Sequence, residues 1–294
     1  MTFLSSLSQP RQLILDGATG TELNRRGVDT GLPLWSANAL LNERDAKILQ
    51  DIHEDYLRAG ADIITTNTFR THRRALAPSG NADRALELTR RAVDIARAAI
   101  VSVNSDSPKF IAGSISTLED CYRPDLVPSD DELRAEHSER VRHLVACGVD
   151  LVLIETINTI REAVITAKLA VVTGTPVVVS FVCDREGKIL SGETLTEAAN
   201  QLLPLGISAI GVNCGPTPNL AKPLAELQST CGKEFPLIAY GNIGYADEEI
   251  GWVNTDSENP NAYCEHAQHW PVKIVGGCCG TTPEHIIQLK SALK

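Results

Sequence analysis

The stretch GVDLVLIET, residues 148–156, reads as a β-strand written in one nearly unbroken apolar run, and it follows a segment of helical periodicity. A run rich in Val, Leu and Ile without polar alternation is what a strand buried on both faces requires, as in a parallel sheet covered by helices. GADIITTNT, residues 60–68, repeats the plan: glycine, a hydrophobic residue, an acid, then a strand. We read the likeness as a shared helix-to-strand turn and not as a duplicated domain.

Six further runs extend the pattern: LILD (13–16), KFIAGSIS (109–116), PVVVSFVC (176–183), ISAIGVNC (207–214), FPLIAYGN (235–242) and VKIVGGCC (272–279). With 61–68 and 149–156 they make eight strands. Amphipathic segments lie between them, at 43–59, 82–100, 130–146, 160–172, 196–203 and 220–230, and a last one follows at 283–293. That last helix has Thr282 to cap it, Pro283 in its first turn and Glu284 at its positive end. Eight alternating units in 294 residues predict an α/β fold, a (β/α)8 TIM barrel forming a single domain over 1–294. An open doubly wound sheet is the alternative.

A hydrophobic content of 43% with 22% charged residues describes a soluble globular chain with a large core. A net charge of -10 without a basic stripe argues against nucleic acid or an anionic membrane as partner and leaves small molecules. The start, MTFLSSLSQPRQLIL, lacks the pattern of a signal peptide, and no run nears the ~20 apolar residues of a membrane span, so a cytoplasmic monomer or small homo-oligomer is expected. In that compartment the eight cysteines are expected to be reduced, some of them as ligands.

Barrel enzymes work at the C-terminal ends of their strands, where the loops converge. Those positions here carry Asp16, Asn67, Ser114, Glu155, Cys183, Cys214, Asn242 and the adjacent pair Cys278 and Cys279. The sixth and eighth strands lie roughly 10 Å apart, two spacings of ~4.8 Å, so Cys214 and the pair can reach one ion above the end of the seventh. Something small is then expected beneath the ion, and Gly241 meets that demand. One buried cysteine is more often an inert hydrophobe, and a vicinal pair can form a disulfide, but three thiols at one rim favour a metal. Thiolate ligands favour Zn2+. Three protein ligands leave a tetrahedral zinc one open position, suited to a thiol substrate, which the metal deprotonates. The resulting excess negative charge points to alkyl transfer from a cationic donor and away from hydrolysis. The glycines around the pair are expected to tolerate unusual backbone angles. His72, His137 and His143 are expected at the surface.

The motifs DGATGTEL (16–23), LWSA (34–37), TNTF (66–69), Glu155 with Thr156, GVNC (211–214) and GGCCGTTPEHI (276–286) run in order over nearly the whole chain and resemble the zinc-dependent homocysteine S-methyltransferases. The resemblance implies zinc held by Cys214, Cys278 and Cys279, with homocysteine bound to it through sulfur. It also implies that Asp16 and Glu155 hold the homocysteine ammonium, with backbone of Gly17, Ala18 and Thr19, and Asn67 of TNTF, in the substrate site. Taken without it, DGATG is equally a tight turn and Glu155 a helix-capping acid.

Size and LWSA resemble the stand-alone members, whose methyl donor is S-methylmethionine or S-adenosylmethionine. TNTF is as much like the cobalamin enzyme, and Arg70 stands where betaine enzymes have tyrosine. A zinc subunit served by a corrinoid protein, a betaine-type donor, and a non-catalytic zinc store or oxidant sensor are the other readings. Two stretches, CYRPDLVPSDD (121–131) and GNIGYADEEIGWVN (241–254), are read as loops that serve the donor or are merely solvated, the second with a packed Trp252.

Overall fold

The computed structural model describes residues 1–247 and 251–293; Glu248, Glu249 and Ile250 of the second donor-loop candidate lie outside the described residues. Eight parallel strands form the barrel: β1 (Leu13–Ile14), β2 (Ile63–Thr65), β3 (Phe110–Ile115), β4 (Leu151–Ile157), β5 (Val177–Phe181), β6 (Ala209–Pro216), β7 (Leu237–Asn242) and, after a hairpin of β8 (Gly244–Asp247) with β9 (Gly251–Asn254), β10 (Ile274–Gly277). Their order is β1-β10-β7-β6-β5-β4-β3-β2. The two ends join through the parallel bridge Leu15 to Ile63, with Asp16 N–H donating to Ile63 O at 2.9 Å and Asp62 N–H to Ile14 O at 2.7 Å. The sheet is therefore a closed barrel, and the open-sheet alternative falls.

The helices are α1 (Phe3–Leu7), α2 (Thr19–Arg25), α3 (Glu43–Ala59), α4 (Arg73–Leu76), α5 (Ala85–Val103), α6 (Asp130–Ala146), α7 (Ile160–Val171), α8 (Leu195–Leu202), α9 (Ala221–Cys231), α10 (Pro260–Ala267) and α11 (Pro283–Ala292). Their starts follow from local chemistry: Asn42 caps α3 through Asp45 N–H, and Ser129 with Glu132 and Thr194 with Glu197 form capping boxes on α6 and α8.

Strand side chains alternate between two cores. Leu13, Leu15, Leu151, Leu153, Ile238 and Tyr240 fill the barrel interior, while Ile14, Val152, Ile154 and Ala239 face the helices. The interior is closed at its N-terminal end by α1, whose Phe3 and Leu7 join that core, with the Phe3 ring edge-on to Phe110 at 5.9 Å.

Some expectations are corrected. Most of the apolar runs overshoot their strands because their last residues turn aside to build the rim: 61–68 reduces to Ile63–Thr65, with the hydroxyls of Thr66 and Thr68 bonding each other, whereas β4 and β6 run past 156 and 214 to Ile157 and Pro216. Residues 244–247 pair with 251–254 as two antiparallel strands where a loop is expected, and α1, α2 and α10 add to the helices read from the sequence. His72 and His137 are buried, at 5% and 0% exposure, and not at the surface. Burial lowers the pKa of both. His137 keeps a partner, Glu162 Oε1, at 2.8 Å from its Nε2.

Candidate active site

One cavity of about 390 Å3 opens at the C-terminal end of the barrel, and most of the rim residues line it. Its floor and walls carry Asp16, Asn67, Ser114, Glu155, Cys214, Cys278 and Cys279, with backbone of residues 17–19. Cys183 is not among its lining residues; it pairs in a bridge with Ile189.

The three cysteine sulfurs lie within 4.8 Å of one another, and Cys214 Sγ is 3.9 Å from Cys279 Sγ. Two sulfurs each about 2.3 Å from one tetrahedral ion would stand roughly 3.8 Å apart, so the donor set fits zinc in both spacing and chemistry. Cys121 also lines the cavity but does not join this cluster. Hydrogen bonds from the neighbouring thiols, Tyr122 and Asn242 hold the Cys214 thiol well below its ordinary pKa against the cost of burial. Cys278 and Cys279 are pushed up in response.

Backbone geometry explains how the ends of β6 and β10 converge. Cys214 takes a left-handed conformation, φ 57°, inside a register shift of β6 against β7. Asn242 ties the two ligand segments together: its Nδ2 donates to Cys214 O at 2.8 Å, and its Oδ1 accepts from Cys279 N–H at 3.0 Å. Tyr263 of α10 donates to Gly276 O at 2.6 Å and accepts from Gly241 N–H at 3.0 Å, holding β7 and β10 from behind.

Two glycine expectations change here. Only Gly280 of the cluster has a left-handed backbone, φ 86°, whereas Gly276 and Gly277 are required for space: a Cβ on Gly277 would stand 2.3 Å from Thr281 Oγ1. Gly241 is small for the sake of its neighbour, since a Cβ there would meet Thr217 Oγ1 at 2.5 Å.

Across the cavity stand two buried carboxylates. Asp16 accepts from Thr65 N–H at 2.7 Å and from Thr65 Oγ1 at 2.9 Å. Burial nevertheless raises its pKa to about 7, with Glu155 adding repulsion. Glu155 accepts from Ser114 Oγ and, at 3.0 Å, from Tyr240 OH, and burial raises it to about 7 as well. Two carboxylates held at the edge of ionisation are suited to an incoming cation, whose charge would favour the ionised form of both.

Other predicted residues prove partly structural. Asn67 lines the cavity, but its Nδ2 donates to Ser36 O at 2.8 Å and so anchors the LWSA segment. Ala18 N–H donates to Thr281 Oγ1 at 3.1 Å and Ala18 O accepts from Tyr56 OH at 2.9 Å, so among the described residues it is the N–H groups of Gly17 and Thr19 that have no partner in that turn.

The outer cavity is aromatic. Trp35, Phe69, Tyr122 and Trp252 line it, with Trp35 edge-on to Phe69 at 5.6 Å. Trp252 is 47% exposed on the hairpin, so the expected packed tryptophan is instead a face at the cavity mouth. Tyr122 OH lies 3.0 Å from Cys214 Sγ. Tyr122, Tyr240 and Tyr263 escaped the sequence reading because an isolated tyrosine carries no periodic or spacing signal.

Comparison with known proteins bears on this geometry. A family model described as homocysteine S-methyltransferase matches residues 13–293. The chain is 32% identical over 298 residues to the homocysteine S-methyltransferase YbgG of Bacillus subtilis, covering 94% of this chain and 93% of that protein. It is 28% identical to the methionine synthase of Mycobacterium leprae over 99% of this chain but only 25% of that longer protein. The crystal structure of the metallated form of the homocysteine methyltransferase MmuM from Escherichia coli superposes with a TM-score of 0.84 at 28% identity, over 98% of each chain.

Proposed function

The chain belongs to the homocysteine S-methyltransferase family, and we propose that it transfers a methyl group from a small sulfonium, S-methylmethionine or S-adenosylmethionine, to the sulfur of homocysteine to give methionine. The observation that carries this reading is one cavity lined by both the three-thiol cluster of Cys214, Cys278 and Cys279 and the carboxylates of Asp16 and Glu155.

We assign the cluster to Zn2+, which when bound supplies the ionisation of a thiol at neutral pH. The chain's own residues do the rest. Asp16 and Glu155 take the homocysteine ammonium and so fix the amino-acid end; Gly17 and Thr19 offer backbone groups beside it; Asn67 holds the Ser36 segment against the cavity. Ser114 and Tyr240 keep the Glu155 carboxylate aimed by donating to its two oxygens. The thiolates and carboxylates together make the site strongly anionic, and the aromatic faces of Trp35, Tyr122 and Trp252 favour a cation in the outer cavity. Attack by the homocysteine sulfur then needs no general base from the protein, only alignment of sulfur, methyl and leaving sulfur.

No helix among the described residues is long and apolar enough to cross a membrane. The eight free cysteines suit a reducing compartment, and we place the enzyme in the cytoplasm as a monomer or small homo-oligomer. A donor screen with homocysteine, at measured zinc content, tests the reading. Methionine should form with a sulfonium; formation only with betaine or only with a methylated corrinoid protein would replace the donor assignment.

A further inference from the structure

The loops after β2 and β3 carry several charged residues, and nearly all are mutually satisfied. Arg73 pairs with Asp83 at 2.7 Å and Glu139 at 3.0 Å; Arg74 binds Glu119 at 2.7 Å as well as Glu132 and Glu136; Arg123 pairs with Asp125 at 2.6 Å. Two stand apart. Among the described residues Arg70 makes no ion pair, its only polar contact being Nη1 to Pro33 O at 3.3 Å, and Asp120 makes none either, its Oδ1 accepting from Tyr122 N–H at 2.9 Å and its charge reaching Arg123 only through space. These two are also the arginine and the aspartate of those loops that line the cavity.

A guanidinium and a carboxylate that face one cavity and are not paired with each other match the two ends of a zwitterion. The first amino-acid head in the cavity, that of homocysteine, has Asp16 and Glu155. We therefore propose that Arg70 and Asp120 bind a second amino-acid head, that of the methyl donor, Arg70 taking the α-carboxylate and Asp120 the α-ammonium. This rests on the methyl transfer proposed above and narrows it to an α-amino-acid sulfonium.

The spacing fits that chemistry. Tyr122 donates its N–H to Asp120 Oδ1 at 2.9 Å and places its OH 3.0 Å from Cys214 Sγ, so the length of one tyrosine separates Asp120 from the thiols. A methionine-like chain spans a similar distance and would bring its sulfonium methyl towards the homocysteine sulfur. There a lone pair of that sulfur forms the new S–C bond, the donor's S–CH3 bond breaks, and its electron pair stays on the donor as a neutral thioether. The homocysteine thiol proton has gone to solvent beforehand. Betaine has a carboxylate but no N–H for Asp120. At about 390 Å3 the cavity is at the small end of the ~300–1,000 Å3 typical of ligand sites and must hold homocysteine too. S-methylmethionine is thus favoured over the nucleoside-bearing S-adenosylmethionine.

The test uses zinc-loaded wild type, Arg70→Gln, Arg70→Lys and Asp120→Asn. Calorimetry reads S-methylmethionine and homocysteine binding; kinetics compares S-methylmethionine with dimethylpropylsulfonium, which has no head group. Arg70→Gln and Asp120→Asn should weaken S-methylmethionine roughly tenfold or more, Arg70→Lys less, while homocysteine affinity and turnover of the headless sulfonium stay within about twofold. Unchanged S-methylmethionine affinity, or an equal loss for homocysteine, would overturn the assignment. S-adenosylmethionine binding as tightly as S-methylmethionine would overturn the preference between them. If the wild type transfers methyl from no sulfonium, the functional reading fails on its own, and the binding data still decide the head-group site.

Discussion

The side chain of Asn213 on β6 braces Thr156 at the end of β4: its Oδ1 accepts from Thr156 N–H at 3.0 Å and its Nδ2 donates to Thr156 Oγ1 at 2.7 Å. A third bond, from Ser180 Oγ to Oδ1 at 2.8 Å, anchors it to β5. Thr156 and Cys214, the residue after Asn213, are both left-handed, with φ of 55° and 57°. Such backbones cost about 1–3 kcal/mol each at non-glycine residues and persist only where neighbours enforce them. One buried amide thus helps position both Glu155 and Cys214.

Asn213→Ala leaves the buried Thr156 N–H and Ser180 hydroxyl without their acceptor. We expect a stability loss of about 3 kcal/mol, and zinc affinity lowered roughly 10–100-fold. Thermal unfolding and competition against a zinc indicator read the two effects; unaltered zinc affinity would remove Asn213 from the support of the ligand cluster.

Asp16 and Glu155 both titrate near pH 7 in the free protein because burial opposes their charge. Binding an ammonium requires the ionised forms, so amino-acid affinity should rise with pH and level off above 7. Methionine is the ligand to use, since its sulfur has no proton to lose. Its affinity for the zinc-loaded protein is expected to gain about tenfold or more from pH 6 to 8, and Asp16→Asn or Glu155→Gln should weaken binding and flatten the curve.

His53 is fully buried on α3, neither ring nitrogen has a partner among the described residues, and burial lowers its pKa to about 4. The unfolded chain takes up this proton first, near pH 6.5, so the histidine's contribution is complete above that value and is lost as pH falls towards 4. At about 1.4 kcal/mol per pH unit the loss amounts to roughly 3 kcal/mol. His53→Leu should match or exceed the wild-type melting temperature at pH 7.5 and lose less of it on going to pH 5. The raised carboxylates act oppositely between pH 4 and 7, so only the difference between variants isolates the histidine.

Gly211 and Gly215 on β6 separate packing from position. A Cβ on Gly211 would stand 1.7 Å from the backbone oxygen of Ile238, which the neighbouring strand cannot move, whereas on Gly215 the nearest atom is Leu220 Cδ2 at 3.3 Å. Gly211→Ala should lose more than about 4 kcal/mol or fail to fold, and Gly215→Ala should cost about 1 kcal/mol or less. Denaturant unfolding compares them.

The barrel was legible because strands buried on both faces must be apolar throughout: six of the eight runs contain their strands, and β4 and β6 extend only one and two residues past theirs, to Ile157 and Pro216. The ring helices were legible from periodicity, with 43–59 and 130–146 read to the residue. The hairpin of β8 with β9 was not, because it pairs only with itself and has no buried face to impose a pattern. Nor was α2, whose first turn, Thr19 to Glu22, holds a glycine that reads as loop. For α10 the signal was present, Asn259 capping and Pro260 in the first turn. Cys214, Cys278 and Cys279 were legible because thiols at the ends of two strands flanking a third have few other reasons to converge. Their supports, Asn213, Asn242 and Tyr263, were visible only once the strands had their register. Arg140 shows the same limit: a buried cation donating to Ser116 O at 2.6 Å and to Phe69 O at 3.3 Å joins two rim loops that no sequence spacing connects.

The most direct test of the central claim, that Cys214, Cys278 and Cys279 hold the zinc on which homocysteine methylation depends, is methionine formation from homocysteine and S-methylmethionine measured against bound zinc as a chelator removes it. Activity should fall in proportion to zinc from one ion per chain, reach zero with the last of it and return when zinc is restored, and Cys279→Ser should neither retain zinc nor turn over. Full activity in metal-free protein would contradict the account.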